Sequence, residues 1–505
     1  MRLHPLSGAI LATLCPTMVF AAALDRSGQS MSGFLQPDNY IDFSYSTLDA
    51  DLSGYVRTEG AGEGIDKDTN GWNMPTSERG NLGGELAGST LSDIAKRFGV
   101  ANATLKLQIN DQLSLGVMYD QPYGAKSGYS TSDQRHDRIR PSGSIPLGIE
   151  NYNAAENYGA FHSIHGATEV DINTHNLSLV LGYHPLDRVT VYGGLAYQTM
   201  EGGVKLRGSA YGPLGGYLCN TQTNPITMCS TFKEKGTGER PLLGIQDPRK
   251  DYLGYEADFG KDSGFGMILG AAYQIPEIAL RASVTYRSKI EYEVNAKERM
   301  PEVIADGLPL LHPGWHIGDK IDALGTKYVY SEGKTTMSTP QSINLDLQSG
   351  IMANTLAYVN FRWVDWSDFT IEPHKISVLS KSITEGQGKG SDGFKLIAYA
   401  EDQLSVTFGV ARKLDEKLAL TLIGGWDSGV GEFTTTLGPS RGFWSAGIGG
   451  QYSFTPKTFV QAGARYFWIG DAKSQSASWY GTDRYDGKFE DNTALGMSVK
   501  IAHRF

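Results

Sequence analysis

Residues 489–505 read FEDNTALGMSVKIAHRF, and from Leu495 onward the stretch alternates strictly. Leu495, Met497, Val499, Ile501 and Phe505 share one face; Gly496, Ser498, Lys500, Ala502 and Arg504 share the other. A period of two marks a strand with one apolar and one wet face. On the last strand of a soluble sheet, such a row of large apolar side chains would invite aggregation. In a transmembrane β-barrel it faces lipid, with the aromatic residue at the interface. The segment before it repeats the pattern. Val460, Ala462, Ala464, Tyr466 and Trp468 point one way, and Phe459, Gln461, Gly463, Arg465 and Phe467 the other.

Composition agrees. The chain has 505 residues, a formal charge of -10, 62 Gly and 26 Tyr, which suits many short alternating segments better than several soluble domains. Its acidity, with no basic stripe, argues against nucleic acid as a partner. Residues 1–23 read as a secretory signal peptide, with Arg2, an apolar run from Leu6 to Phe20, and Ala21-Ala22-Ala23 at the cleavage site. Cys15 follows Leu14, where lipid attachment needs a small residue. No later stretch reaches the roughly 18 apolar residues of a membrane helix.

Residues 24–38, LDRSGQSMSGFLQPD, carry no period and are expected to form a lead-in or a small plug; residues 39–505 are the barrel. The first strand is expected from Tyr40 to Val56, followed by a long loop in which LSDIAKRF (91–98) forms a short amphipathic helix. TLKLQI, an Asn110-Asp111-Gln112 turn and LSLGVMYDQPYG make a hairpin, and further hairpins follow, with 280–294 and 351–379 each read as one long strand. The fold class is therefore all-β, a transmembrane antiparallel barrel of about fourteen strands with short turns on one side and long loops outside the cell.

The order of these hairpins resembles the FadL/TodX family of outer-membrane transporters. The likeness is carried by INDQLSLGVMY (109–119), NLSLVLGYHPLDRVTVYGGLAYQ (176–198), LRASVTYRSKIEYEV (280–294), TPQSINLDLQSG (339–350), VDWSDF (364–369) and RGFWSAGIGGQYSF (441–454). It implies passive uptake of long-chain fatty acids or aromatic hydrocarbons, with capture on protruding loops, an N-terminal hatch, and lateral release through a kinked third strand. The chain departs at the hatch, which is short here and lacks the family's Asn-Pro-Ala element; Gln36-Pro37-Asp38 stands nearest.

Several residues are candidates for that work. If the apolar face looks at lipid, Arg281, Arg287, Lys289, Arg362, Arg465, Lys500 and Arg504 look into the lumen. Arg binds carboxylates bidentately, which suits a fatty-acid head group. Alternatively these cations pair with lumenal Glu291, Glu293 and Asp427 to fill the barrel. The resemblance adds Arg207 and Arg441, near the positions that hold the family's ligand carboxylate. Leu308, Leu310, Leu311 and Trp315 are expected to form an apolar catchment or a small loop core. Gln121, Pro122, Tyr123 and Gly124 interrupt the third strand, since Pro122 has no N–H to donate, and the resemblance makes that break a lateral gate. Cys219 and Cys229 share one loop in an oxidising compartment and are expected to form a disulfide.

No catalytic set converges on one face, His162 and His165 are the only metal-like spacing, and no phosphate-binding Gly loop follows a parallel strand, so neither enzyme chemistry nor a cofactor is expected. The expected partners are a hydrophobic small molecule and the lipid and lipopolysaccharide of a Gram-negative outer membrane. A structural or adhesive surface protein that binds through its long loops is the alternative, and a hydrophilic porin is a third reading.

Overall fold

The computed structural model describes residues 25–56, 90–129, 160–163, 166–207, 255–301, 316–321, 327–374, 395–476 and 485–505. Within them, fourteen antiparallel strands close into one barrel. In order they are β1 (Tyr40–Asp51), β2 (Phe98–Gln108), β3 in two pieces (Leu113–Asp120, Gly124–Gly128), β4 (Glu169–Leu186), β5 (Val189–Leu206) and β6 (Tyr255–Ile275). There follow β7 (Leu280–Arg287, Ile290–Pro301), β8 (Lys327–Thr339, Ser342–Met352), β9 (Thr355–Val364), β10 (Gln403–Lys413), β11 (Leu418–Asp427), β12 (Arg441–Ser453), β13 (Thr458–Gly470) and β14 (Thr493–Arg504). β14 returns to β1, with Tyr40 opposite Arg504 and Asp51 opposite Thr493. Closure leaves the sheet without a free edge strand in hydrocarbon.

Short turns gather at one end, where side chains supply what the backbone lacks. The Asn110 carboxamide oxygen accepts from the N–H of Gln112 and Leu113, both at 2.9 Å. Asp415 does the same for Lys417 and Leu418, and those two N–H donors hold its carboxyl below the usual range. The long connections lie at the other end. There, residues 54–56, 90–91, 433–435, 472–475 and 487–489 form a five-stranded sheet over a small core of Leu52, Val56, Leu91, Ile94, Phe161 and Phe489.

The alternation read from the last strand holds in space. Met497, Val499 and Ile501 are exposed toward lipid, as are Leu177, Leu179 and Leu181 on β4, while Lys500 and Arg504 are buried inside. Several expectations need correction. Strand β1 ends at Asp51 because Gly54–Val56 leaves to join the small sheet. Residues 92–97 are not helical; Leu91 and Ile94 turn into the small core, and strand β2 begins at Phe98. The 351–379 stretch is not one strand: β9 stops at Val364, and Trp366 and Phe369 fold inward. Residues 375–379 lie outside the described residues.

The largest correction is in β7. Its ladder skips Ser288 and Lys289, opposite the skipped Pro340 and Gln341 of β8. Pro340 cannot donate, and crossing this point reverses which parity faces in. Arg281, Ser283, Thr285 and Arg287 are buried below it; Ile290, Tyr292 and Val294 are buried above it. Ile290 therefore faces the lumen, whereas Glu291 and Glu293 face outward, and Lys289 pairs with Asp368 at 2.7 Å on the outside.

Candidate functional site

Residues 25–38 climb the lumen from the turn end, and the basic interior holds them. Phe34 lies against Gly116 and Gly182, where any side chain would collide with the ring, and packs edge-on to Tyr192 at 5.6 Å. Lys106 donates to the Asp38 carbonyl at 2.9 Å, Arg504 to Gln36 Oε1 at 3.0 Å, and Arg281 to the Leu35 carbonyl at 3.4 Å. Arg287 reaches the Gln29 carbonyl at 3.4 Å, and Asn344 the Gly28 carbonyl at 2.8 Å. At the top, Arg362 Nε meets Asp25 Oδ2 at 2.7 Å, both side chains fully buried. Arg362 also donates to Gln29 Oε1 at 3.1 Å and Asn344 Oδ1 at 2.8 Å.

Beside this segment the lumen is polar. A cavity of about 100 Å³ is lined by Asp42, Ser44, Thr104, Asp120, Asp346 and Lys500 among others. Toward the loop end it turns apolar. A second cavity, of about 140 Å³, is walled by Leu48, Phe98, Phe443, Phe467, Ile469 and Ala494, with Leu437 and Tyr399 contributed by the connections. A void of that size takes one aromatic ring or the head-proximal part of an alkyl chain. Its floor is Asp25 and Arg26, and its flank is Gly124–Ser127 of β3.

That flank is where the backbone ladder of the wall is interrupted. Strands β2 and β3 pair from Gln108↔Ser114 up to Ala103↔Tyr119 and then part. They meet again only at the isolated bridge Ala95↔Ser127, among the described residues. On the other side β3 stays with β4, one residue longer than its partner between Asp120↔Asn176 and Gly124↔Asn173. Thr174 fastens that bulge, accepting from the Tyr123 N–H at 2.9 Å and donating to its carbonyl at 2.7 Å.

Side chains fill the parting. Gln121 Oε1 accepts from the Ala101 N–H at 3.0 Å, and Tyr119 OH meets His175 Nδ1 at 2.7 Å on the outer face. Arg26 lies over the Phe98 ring at 4.3 Å and occupies the space a Gly124 side chain would need. Burial pushes its guanidinium down to about 10, against the pull of Asp171, so it stays cationic at neutral pH. Tyr123 is buried in an aromatic cluster, 5.8 Å from Trp366, which lies 5.2 Å from Phe369 and 5.4 Å from Tyr399. Outside, an apolar cleft of about 480 Å³ starts at Ala103 and Tyr119 and runs past Leu105 and Phe43 to Ile501.

The expected basic residues therefore divide. Arg281 and Arg287 are buried and bonded to the N-terminal segment. Arg465 is buried, donating to Ser445 at 3.0 Å and lying 5.1 Å over the Phe467 ring. Arg207 is ion-paired to Glu256, which also holds Arg299 at 2.6 Å. Arg441 is exposed at the mouth, because a bulge at Gly442 (φ +43°) takes it out of the inward parity. None of these five lines the apolar cavity. Leu308, Leu310, Leu311, Trp315, Cys219, Cys229 and His165, like the 1–23 signal peptide, lie outside the described residues.

Sequence reading passed over Arg26, Leu48, Phe98, Ile469 and Ala494. The signal was present as apolar residues on the inward parity, confined to the loop-side ends of strands. Among the described residues no His, Cys, Asp and Glu cluster has the arrangement of a metal site.

A family model described as "Outer membrane protein transport protein (OMPP1/FadL/TodX)" matches residues 146–505. No curated protein matches the chain in sequence. Among solved structures, a Pseudomonas aeruginosa FadL homologue is similar with a TM-score of 0.59 at 14% identity, over 97% of this chain and 96% of that one. The Pseudomonas putida toluene transporter TodX is similar with a TM-score of 0.52 at 10% identity, over 97% and 96%. At these identities the likeness is one of fold.

Proposed function

The chain belongs to the OMPP1/FadL/TodX family of outer-membrane transport proteins, which carry hydrophobic compounds, and from that premise we propose a lateral route through its barrel. A hydrophobic molecule, a long-chain fatty acid or a related aromatic compound, enters from the loop end and rests in the apolar cavity. It leaves sideways between β2 and β3 into the membrane. One observation carries the reading: the apolar cavity abuts the only stretch of β3 whose ladder to β2 is interrupted among the described residues.

Physical chemistry favours the sideways exit over the straight one. Continuing toward the turn end would carry an apolar body past Asp42, Asp120, Asp346 and the cations that clamp residues 25–38. Each step there trades hydrophobic contact for polar groups that lose water. Moving sideways trades one apolar environment for another, and the cleft at Ala103 and Tyr119 lies directly outside. Residues 25–38 act in this reading as the plug. The route needs no bond-making step.

The test bridges the parting. Ala101→Cys and Gln121→Cys, in a background without Cys219 and Cys229, are joined by a short thiol crosslinker, and uptake of labelled oleate and of a neutral aromatic is followed. The bridged protein is expected to lose uptake and the unbridged pair to keep it. Full uptake with complete bridging would refute the lateral route. If cells lacking the protein take up both compounds as fast as wild type, the transport reading itself falls, and surface binding through the loops replaces it.

A further inference from the structure

Arg26 is 7% exposed and lies at the floor of the apolar cavity. Its backbone N–H is anchored on the Pro122 carbonyl at 2.7 Å, and its Nη1 donates to Asn173 Oδ1 at 3.0 Å. Nε and Nη2 are buried and have no hydrogen-bond partner. The apolar cavity that Arg26 lines is walled by Leu48, Phe98, Phe443 and Phe467, which offer no acceptor; Asp25 beside it is taken by Arg362, and Arg26 also borders the polar cavity of Asp42, Asp120 and Asp346. Nε and Nη2 lie along one edge of the guanidinium, spaced for the two oxygens of a carboxylate. A buried cation with one edge unmet, set between an apolar void and a polar one, is half of a recognition site.

We infer that Arg26 is the head-group receptor of the cavity and makes it select monocarboxylates with an apolar body over neutral molecules of the same shape. The carboxylate takes the Nε–Nη2 edge and the tail lies against Phe98, Phe467 and Ile469. The same guanidinium stands in the parting between β2 and β3, over Phe98 and against Gly124. An anion drawing it toward the cavity removes it from the wall, so an acid unseats its own barrier and a neutral molecule does not. This inference rests on the lateral route proposed above, and its test separates the two.

Binding of oleate and of oleyl alcohol to the detergent-purified full chain is measured for wild type, Arg26→Gln and Arg26→Lys, with heat-modifiable gel mobility confirming a closed barrel. Wild type is expected to prefer oleate. Arg26→Gln should lose roughly tenfold to hundredfold in oleate affinity, the fold-change that a charge-assisted hydrogen bond carries, with oleyl alcohol nearly unchanged. Arg26→Lys, which keeps the charge and loses the fork, should retain an intermediate preference. Equal loss of both ligands in both variants would reduce Arg26 to a structural prop and overturn the inference. Unchanged oleate affinity in Arg26→Gln would overturn it too. Wild type that binds neither ligand would strike the transport reading first, and this one with it.

Discussion

Replacing Arg362 by Met tests whether residues 25–38 are held by the lumen or merely packed in it. Arg362 and Asp25 are both fully buried and 2.7 Å apart, so solvent screening does not dilute their attraction. The same guanidinium also binds Gln29 and Asn344, both within 3.1 Å. Met keeps much of the volume and removes every guanidinium donor, leaving Asp25 buried without its cation and with only the Gly28 N–H at 3.3 Å. Removing one partner of a buried pair costs about 3–5 kcal/mol. The closed barrel does not depend on this pair, so the cost falls on docking of the segment. At about 1.4 kcal/mol per tenfold, the docked-to-undocked ratio falls by a factor of roughly 10² to 4 × 10³. Planar-bilayer recording should then show open steps that wild type lacks, and amide exchange at Arg26–Gln36 should accelerate. Asp25→Leu combined with Arg362→Met should restore most of the closed behaviour, because no lone charge remains. Wild-type conductance and exchange in Arg362→Met would refute the reasoning.

Filling the apolar cavity should block it without touching its charges. Ala494→Phe adds a ring to a void of about 140 Å³ and is expected to abolish binding of oleate and oleyl alcohol alike, read by the same binding assay. Cys219 and Cys229 should prove to be joined, closing a short loop worth roughly 2–3 kcal/mol by chain-entropy arithmetic. Free thiols labelled by maleimide on the denatured, unreduced protein would show otherwise.

Alternation alone made the barrel legible, because lipid tolerates only one face of each strand and the last two strands state it without interruption. The interruption at Pro122 was legible for a local reason, a missing donor. The reversal at Ser288–Lys289 was not, since its proline sits on the neighbouring strand at Pro340 and nothing in LRASVTYRSKIEYEV marks the skipped pair. The partners of the inward cations were hidden for a different reason. Arg281 and Arg287 bond the main-chain carbonyls of Leu35 and Gln29, which every residue type possesses, across more than 240 positions of chain. Of the acidic side chains expected to pair with them, Glu291 and Glu293 face away, while Asp427 is buried inside and accepts from the Gly429 N–H at 2.8 Å. Arg26 escaped notice because it lies in a segment with no period. Its importance comes from what surrounds it, a ring, a glycine and two unmet donors.

The segment that fills the lumen is tied to β1 through Asn39, whose carbonyl accepts from the Phe505 N–H at 3.1 Å and whose side chain accepts from the Gln108 N–H at 2.8 Å. In the plug role proposed above, a segment on such a tether is present at an effective concentration in the millimolar range whatever the number of copies in the membrane. Its return after each displacement is a first-order event with a rate belonging to a single molecule. No soluble competitor at ordinary abundance can outbid it, and neighbouring barrels cannot exchange stoppers. Each copy resets itself.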